Sequence, residues 1–312
     1  MNDKHGLSPS VVETIAGFTA GVSSTLALHP LDVIKTRLQV DRFSSSRIGS
    51  SLRIIRNISR NEGGIAGFYR GLTPNLVGNS VSWGMYFFWY SNIKSTLHVL
   101  HGSRKEGLGS LDYFLASGTA GLITALLTNP IWVIKTRMLS TGARAPGAYP
   151  SLAAGVREIY RSEGLPGFYR GLVPALFGVS HGALQFMAYE QLKRYQAGTT
   201  SQFNFTTANT YTHGSSSGRE LSNLDYLLLS GASKVFAGAV TYPYQVLRAR
   251  LQTYDAAGTY RGVGDAIGKI WRREGVVGFY KGLGPNLVRV LPSTWVTFLV
   301  YENVKAHLAR GG

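Results

Sequence analysis

Cysteine is absent from this sequence of 312 residues. Disulfide bonds and thiolate metal sites are therefore excluded. The redox state of the compartment in which the protein works also leaves no trace in the sequence, because cysteine usage is what would report it.

Charged residues are scarce: they make up 15% of the chain, against about 25% in a typical globular protein. Four segments contain no Asp, Glu, Lys or Arg, and two more contain one cation each, Lys234 or Arg289. Each is close to the roughly 20 residues that a helix needs to cross a bilayer. The six segments are 14–31, 71–93, 113–134, 171–189, 226–247 and 282–301. We therefore predict an all-α membrane protein with six transmembrane helices, whose Gly, Ser, Thr and Asn residues pack together and line a polar path.

Acidic residues are the scarcer kind of charge, 16 against 32 Lys and Arg, which gives a net charge of +16. A basic chain can bind nucleic acid, but 21 of the 32 cations lie within 35–71, 135–171 and 248–282, between predicted spans. This positive-inside pattern places these three segments on the inner side of a membrane and both termini on the other side. A nucleic-acid binder would be soluble without detergent, so the six apolar segments contradict that class.

The signatures of an enzyme are missing too. No span contains paired carboxylates, no Gly-rich phosphate loop follows a strand, and no residues have metal-ligand spacing. Residues 1–10 are polar and lack the apolar core of a cleavable targeting segment. We expect a transporter with no metal and no cofactor; a channel of the same architecture stays open, and saturable counter-exchange would distinguish the two.

Two phrases occur three times at nearly constant spacing, which shows an internal repeat of about 100 residues. The first is Pro-x-x-x-x-(Lys/Arg)-x-(Lys/Arg), beginning at Pro30, Pro130 and Pro243. The second is Glu-Gly followed by Gly-Phe-Tyr-(Arg/Lys)-Gly-Leu, with its Glu at 62, 163 and 274. We divide the chain into repeats at 1–104, 105–214 and 215–312. Each repeat is predicted to contain a long helix, a loop, a short amphipathic helix that stops at Glu-Gly, and a second long helix, with flexible linkers at 100–111 and 197–222.

A third phrase, aromatic-acid-x-x-base, begins at Tyr189 and Tyr301, with the variant Tyr90-Ser91-Asn92-Ile93-Lys94 in the first repeat. With these three phrases nearly the whole chain resembles the mitochondrial carrier family. Pro130-Ile131-Trp132, Ser82-Trp83-Gly84, Gly178 to Ala183 and Ser233-Lys234 resemble the branch that carries FAD and folate. The resemblance implies a monomeric carrier of the mitochondrial inner membrane, in a bilayer that includes cardiolipin, working as an antiporter. FAD is the first choice of substrate, with tetrahydrofolate, a pyrimidine nucleotide or NAD as alternatives.

Pro30, Pro130 and Pro243 are expected to kink three helices, so that a funnel closes at its inner end. In the family pattern an acid two residues after each proline pairs with a base of a neighbouring repeat. Here the inner gate keeps one acid. The pattern predicts that Asp32 pairs with Lys135, Lys35 faces Gln245, Arg248 faces Trp132, and Gln39 and Gln252 brace the ring from below. A gate with a single acid should open easily, although Trp132 beneath a cation compensates in part.

The family's second gate is expected at the outer end, from the aromatic-acid-x-x-base phrase. Ser91 removes one of its acids. Snorkelling of long side chains at helix ends is the alternative reading of these charges. The residues of this predicted outer gate are Tyr90, Lys94, Tyr189, Glu190, Lys193, Tyr301, Glu302 and Lys305.

Lys234 and Arg289 are the two cations deep within predicted spans, where a charge normally faces a water-filled path. No Asp or Glu lies at comparable depth in the sequence, so we expect an anionic, ring-bearing substrate to be their counter-ion, unless carbonyls or hydroxyls satisfy them. Trp83, Tyr86 and Phe177 could stack on its ring, or simply pack between helices. His181 could read a heterocycle edge, or be hydrogen-bonded packing. The predicted substrate contacts are Gly78, Asn79, Phe177, Gly178, His181, Gln185, Lys234 and Arg289.

Overall fold

The computed structural model describes residues 9–42, 49–100, 109–142, 145, 147–196 and 223–310. All regular secondary structure in these ranges is helical, so the all-α prediction is confirmed for them. Residues 1–8, the predicted linker at 197–222 and most of the predicted linker at 100–111 lie outside the described residues.

Each repeat contains the predicted succession of long, short and long helices. The first repeat holds α1 (Pro9–Val40), α2 (Gly49–Asn61), α3 (Ile65–Phe68) and α4 (Leu72–Leu100). The second holds α5 (Ser110–Ser140), α6 (Leu152–Phe168), α7 (Leu172–Phe177) and α8 (Val179–Gln196). The third holds α9 (Asn223–Val240), α10 (Tyr242–Leu251), α11 (Ala256–Thr259), α12 (Val263–Gly278) and α13 (Leu283–Arg310).

The three repeated prolines act on their helices in two ways. Pro30 and Pro130 lie inside the continuous helices α1 and α5. In the third repeat the helix is interrupted: α9 ends at Val240, and Pro243 is the second residue of α10. Proline removes one backbone hydrogen bond and its ring crowds the preceding turn. The predicted kink is therefore a full break in the third repeat.

The long helices close into a ring in which each repeat packs on the next. The second long helix of a repeat lies against the first long helix of its successor: α4 on α5, α8 on α9, and α13 on α1. Because the last of these contacts joins the third repeat to the first, the threefold arrangement is closed. We call the end of the ring that carries α2, α6 and α12 the inner end.

The short helices pack on the inner halves of the long ones. Ile159 of α6 is fully buried beside Val133 and Ile134 of α5, and burial of such a side chain stabilises the fold by about 1.5–3 kcal/mol. At the predicted Glu-Gly stops the backbone leaves helical geometry within α6 and α12, where Gly164 and Gly275 have φ of 65° and 63°. Glycine adopts this left-handed backbone without a Cβ clash.

Three equivalent arginines, Arg37, Arg137 and Arg250, connect the repeats at the inner end. The Nε of each donates a hydrogen bond to a backbone carbonyl of the following repeat. The Nε to O distances are 3.1 Å from Arg37 to Leu139, 3.1 Å from Arg137 to Gln252 and 2.9 Å from Arg250 to Gln39. Since the accepting positions are themselves equivalent, the three bonds form a closed cycle.

The same arginines pair with the Glu of the Glu-Gly phrase in their own repeat: Arg37 with Glu62, Arg137 with Glu163 and Arg250 with Glu274. Burial alone would raise the pKa of Glu163, but hydrogen bonds from Arg137 and Arg170 outweigh it and lower the pKa. A carboxyl with a lowered pKa stabilises the fold at neutral pH, and this contribution is lost as the pH falls through its folded-state pKa.

Hydropathy singles out fewer helices than the charge-free segments do. Among the described helices, Leu111–Ser140 is the one long and apolar enough by itself to cross a membrane. A second candidate is the pair Leu152–Phe168 and Leu172–Lys193, bent by 58°. The arrangement of six spans remains a prediction.

The arginine cycle can be tested with Arg37→Gln. This change leaves Glu62, whose side chain is 9% exposed, without its cation, and loss of one partner of a buried pair costs about 3–5 kcal/mol. Thermal unfolding of the purified protein in detergent should show a markedly lower midpoint. Arg53→Gln on the exposed face of α2 is the control and should leave the midpoint nearly unchanged; equal shifts for the two variants would contradict the account.

Candidate substrate cavity and gates

A cavity of about 1130 Å³ lies within the helix ring. Trp83 and Tyr86 line its wall, and Lys35, Lys135 and Gln252 line its inner end. Pockets for drug-sized ligands occupy about 300–1000 Å³. The cavity can therefore hold a bulky metabolite.

The charges of the cavity lining are strongly unbalanced. Four cations, Lys35, Lys135, Arg248 and Arg289, face one carboxylate, Asp32. The described residues contain no group of three or more His, Asp or Glu side chains that could hold a metal ion. Three positive charges thus lack an acidic counterpart in the lining, and the natural ligand of such a surface is an anion.

Aromatic rings form part of the cavity wall. Trp83 meets Tyr86 edge to face, with ring centroids 6.1 Å apart. Tyr86 in turn lies parallel to Tyr90, one helical turn further along α4, at 6.1 Å. Two of the three predicted stacking residues, Trp83 and Tyr86, therefore line the cavity. The third, Phe177, lies outside the cavity lining, and its side chain is 64% exposed.

The structure contains two of the three contacts predicted for the inner gate. Lys35 Nζ donates a hydrogen bond to Gln245 Oε1 at 3.0 Å. The guanidinium of Arg248 lies 5.6 Å from the ring centroid of Trp132, and the ammonium of Lys135 lies 4.6 Å from it. Trp132 thus holds two cations where the family pattern has an acid.

The third contact was predicted wrongly, since Asp32 does not pair with Lys135. Arg289 Nη1 donates instead to Asp32 Oδ1, because α13 packs on α1 and brings the long arginine side chain down to the gate. Lys135 remains over the Trp132 ring. The expectation that Arg289 has no acidic neighbour is wrong for the same reason.

The predicted glutamine braces contact neighbouring repeats. Gln39 Nε2 donates to the hydroxyl of Tyr242 at 3.1 Å. Gln252 Oε1 accepts a hydrogen bond from the Thr136 hydroxyl at 2.8 Å. Both glutamines line the inner end of the cavity and tie the helices together there.

The predicted contacts Gly78 and Asn79 on α4 lie outside the cavity lining. Gly78 packs against Trp132 and Ile131 so closely that a Cβ at this position would lie 3.2 Å from Ile131 Cγ2. Asn79 donates to Asn75 Oδ1 at 3.3 Å. In this conformation Gly78 serves packing between α4 and α5, and Asn79 is bonded within α4.

The remaining predicted contacts divide between lining and packing. Gly178 and Arg289 line the cavity. His181 Nδ1 lies 2.9 Å from the hydroxyl of Thr241 at the break between α9 and α10, which favours the packing alternative for this histidine. Gln185 and Lys234 are half-buried and lie outside the lining, and in the described part of the chain Lys234 has no ion pair.

Two lysines of the predicted outer gate lie over tyrosine rings of their own helices. Lys94 lies over the ring of Tyr90 and Lys305 over the ring of Tyr301, at 5.8 and 5.6 Å. Lys305 pairs with Glu13 of α1 at 3.5 Å. Within the described ranges neither Glu190 nor Glu302 forms an ion pair. The residues of the predicted inner gate thus contact one another across repeats, whereas within the described ranges the two acids of the predicted outer gate form no ion pair.

Sequence reasoning missed two sets of equivalent residues. The first is the arginine cycle, which could have been found from the nearly constant distance between each arginine and its Glu-Gly phrase. The second precedes the three prolines and binds the carbonyls of equivalent loop residues: His29 to Arg70 at 3.0 Å, Asn129 to Arg170 at 3.4 Å and Tyr242 to Lys281 at 3.1 Å. Their side chains differ, so no repeated letter reveals this second set.

The family described as Mitochondrial carrier protein matches residues 7–100, 106–199 and 219–312. The chain belongs to this family. Its members are transporters, so the prediction of a carrier and not an enzyme is confirmed, and the three repeats are those of the family.

The relatives of this carrier include proteins named for three substrates. The mitochondrial FAD carrier protein FLX1 of Saccharomyces cerevisiae is 38% identical over 97% of this chain and 99% of its own length. The mitochondrial nicotinamide adenine dinucleotide transporter 2 of Arabidopsis thaliana is 39% identical over 92% of this chain and 77% of its own length. The chloroplastic folate transporter 1 of the same plant is 38% identical over 93% and 92%.

The weakness of the inner gate can be tested with Gln245→Glu. The new carboxylate would lie where Lys35 now donates to an amide, and should stabilise the closed gate by about 1 kcal/mol or less. We expect a higher unfolding midpoint and slower exchange in liposomes. Gln191→Glu, on the exposed side of α8, controls for added charge; an equal effect of the two changes would contradict the prediction.

Proposed function

We propose that this carrier exchanges FAD across the mitochondrial inner membrane by alternating access. The observation that carries the proposal is the cavity in which four cations and one carboxylate lie beside the rings of Trp83 and Tyr86. A substrate with two negative charges and a fused ring system complements both features.

The named relatives support this class of substrate. FAD and NAD each carry a diphosphate and an adenine ring, and folate carries two carboxylates and a pteridine ring. We place FAD first because the relative named for it matches nearly its full length. Tetrahydrofolate is the alternative, since the cavity charges accept two carboxylates as readily as two phosphates, and NAD or a pyrimidine nucleotide would follow.

The state of the two gates supports alternating access. Contacts link the repeats at the inner gate, while Glu190 and Glu302 of the outer gate have no ion pair in the described residues. Such a carrier accepts substrate from the outer side. An ion pair at such a position stabilises the closed gate by at most about 1 kcal/mol. Gln245 and Trp132 replace two acids of the family pattern, so two such pairs are missing here. The gate therefore needs little substrate binding energy to open.

We infer six spans from the outer surface of the helix ring. Large apolar side chains are exposed on helices that hydropathy alone does not select, including Phe18 on α1, Phe87 on α4 and Phe298 on α13, each at least 60% exposed. Exposed apolar surface of this extent indicates contact with lipid. The basic segments between spans then face the matrix, and both termini face the intermembrane space.

Membrane electrostatics favour exchange over free uptake. Moving a negative charge into the negative matrix costs about 2.3 kcal/mol per 100 mV. A dianion therefore needs a strong gradient or an anion that leaves in return, which is the reason to propose an antiporter.

Uptake into liposomes tests the substrate. Purified carrier should take up FAD in saturable exchange, and faster than tetrahydrofolate, NAD or pyrimidine nucleotides. Arg289→Ala should abolish uptake because it removes a cation from the cavity lining. Lys234→Ala should abolish it as well, because in our proposal Lys234 joins the site in another state of the cycle.

Arg272→Ala, on the exposed face of α12, is the matched control and should retain uptake. No uptake of any of these anions would refute the carrier proposal. Unaltered kinetics in both Arg289→Ala and Lys234→Ala would refute the site.

The ring-binding wall can be tested by fluorescence. Stacking of a base on an aromatic side chain contributes about 1–3 kcal/mol, and an indole in contact with a flavin quenches its emission. Trp83→Leu should weaken FAD binding at least about fivefold. It should also reduce the quenching of flavin fluorescence that accompanies binding. Trp295→Leu is the control, because Trp295 is similarly exposed but lies outside the cavity lining; equal effects would contradict the role of Trp83.

A further inference from the structure

One ion pair joins the proposed substrate site to the inner gate. Arg289 Nη1 donates to Asp32 Oδ1, and the side chains of Arg289 and Asp32 are 38% and 12% exposed. Asp32 belongs to the inner gate of the first repeat, whereas Arg289 stands on α13 of the third. Arg289 therefore belongs both to the proposed substrate site and to the inner gate.

Within the described residues Asp32 forms no other ion pair. Lys35 is engaged with Gln245, and Lys135 lies over Trp132. The second contact of the Asp32 carboxylate is a long hydrogen bond from Asn75 Nδ2, at 3.5 Å. Arg289 is thus the cation that neutralises the one acid of the inner gate.

Arg289 also retains capacity for a ligand. A guanidinium has five N–H donors, and in the described part of the chain the one hydrogen bond of this group is the bond to Asp32. Arg289 lines the cavity, so a phosphate or carboxylate can dock on the free donors. The nearby negative charge of Asp32 opposes that docking for as long as the pair is intact.

We propose that Asp32 is an internal anion that competes with the substrate for Arg289. On binding, the substrate draws the guanidinium away from Asp32 and thereby breaks the one ion pair of the inner gate. This inference rests on the proposed function, since it requires an anionic substrate. The pair makes Asp32 a residue that sets affinity through Arg289 without contacting the substrate.

The test is FAD affinity of the purified full-length protein, measured for Asp32→Asn in three backgrounds. In the wild type the change should tighten binding about fivefold, corresponding to about 1 kcal/mol for a partly exposed pair. The same gain should appear with Lys135→Gln, which is the control because the family pattern assigns Lys135 to Asp32. With Arg289→Gln the gain should fall below about twofold, since no guanidinium remains to compete for. Equal gains with Arg289→Gln and Lys135→Gln would overturn the proposal, because Asp32 would then act as a diffuse charge.

Thermal unfolding without ligand examines the pair itself and keeps the test valid if Arg289→Gln folds poorly. In that case Arg289→Lys, which retains a cation, replaces Arg289→Gln as the background. Asp32→Asn should then give an intermediate gain in affinity. Asp32→Asn and Arg289→Lys should lower the unfolding midpoint less together than the sum of their separate effects; additive effects would overturn the proposal. If the wild type binds neither FAD nor the other ring-bearing anions, both the proposed function and the competition are refuted. If FAD binds but Asp32→Asn gives the same gain in all three backgrounds, the competition alone is refuted.

Discussion

Positive charge gathered at the closed end of a cavity is the constraint on which the rest of this carrier depends. Lys35, Lys135, Arg248 and Arg289 lie there with Asp32 as the one carboxylate in the lining. Charges in such a place are tolerated when water, an aromatic face or a counter-ion replaces bulk solvation. The structure uses Gln245 for Lys35, Trp132 for Lys135 and Arg248, and Asp32 for Arg289. An anionic substrate adds the negative charge that these partners lack.

The inner end of the helix ring has two layers, a strongly bonded arginine cycle and a weakly bonded gate above it. Below the gate, the arginine cycle ties every repeat to the next through a carbonyl and to its own short helix through a glutamate. These contacts repeat three times and are well buried. The gate above them is asymmetric, with one ion pair, one amide contact and one aromatic ring. Threefold order therefore serves the scaffold, and departures from it occur where the molecule must move or recognise a substrate.

The sequence was most informative where the three repeats agree. Local patterns predict the repeat, the long and short helices, the Glu-Gly stops and the prolines that interrupt the helices. The family pattern predicts the partners of Lys35 and Arg248. Side-chain reach was harder to predict. The sequence places Arg289 at a different depth from Asp32, yet the long side chain of Arg289 spans that difference. The sequence leaves His181 open as a reader of a heterocycle edge or as packing, and the break before α10 presents the Thr241 hydroxyl to it. The carbonyl acceptors of the arginine cycle could not be predicted, because every residue has a backbone carbonyl and its position depends on the fold.

The most direct test of the central claim compares FAD with riboflavin, which has the same flavin ring but no phosphate. If unbalanced positive charge in the cavity determines recognition, purified carrier should bind FAD at least about 100-fold more tightly than riboflavin, a difference of about 2.7 kcal/mol. The difference should shrink as the salt concentration rises. Equal affinity for the two flavins, at any salt concentration, would contradict the account.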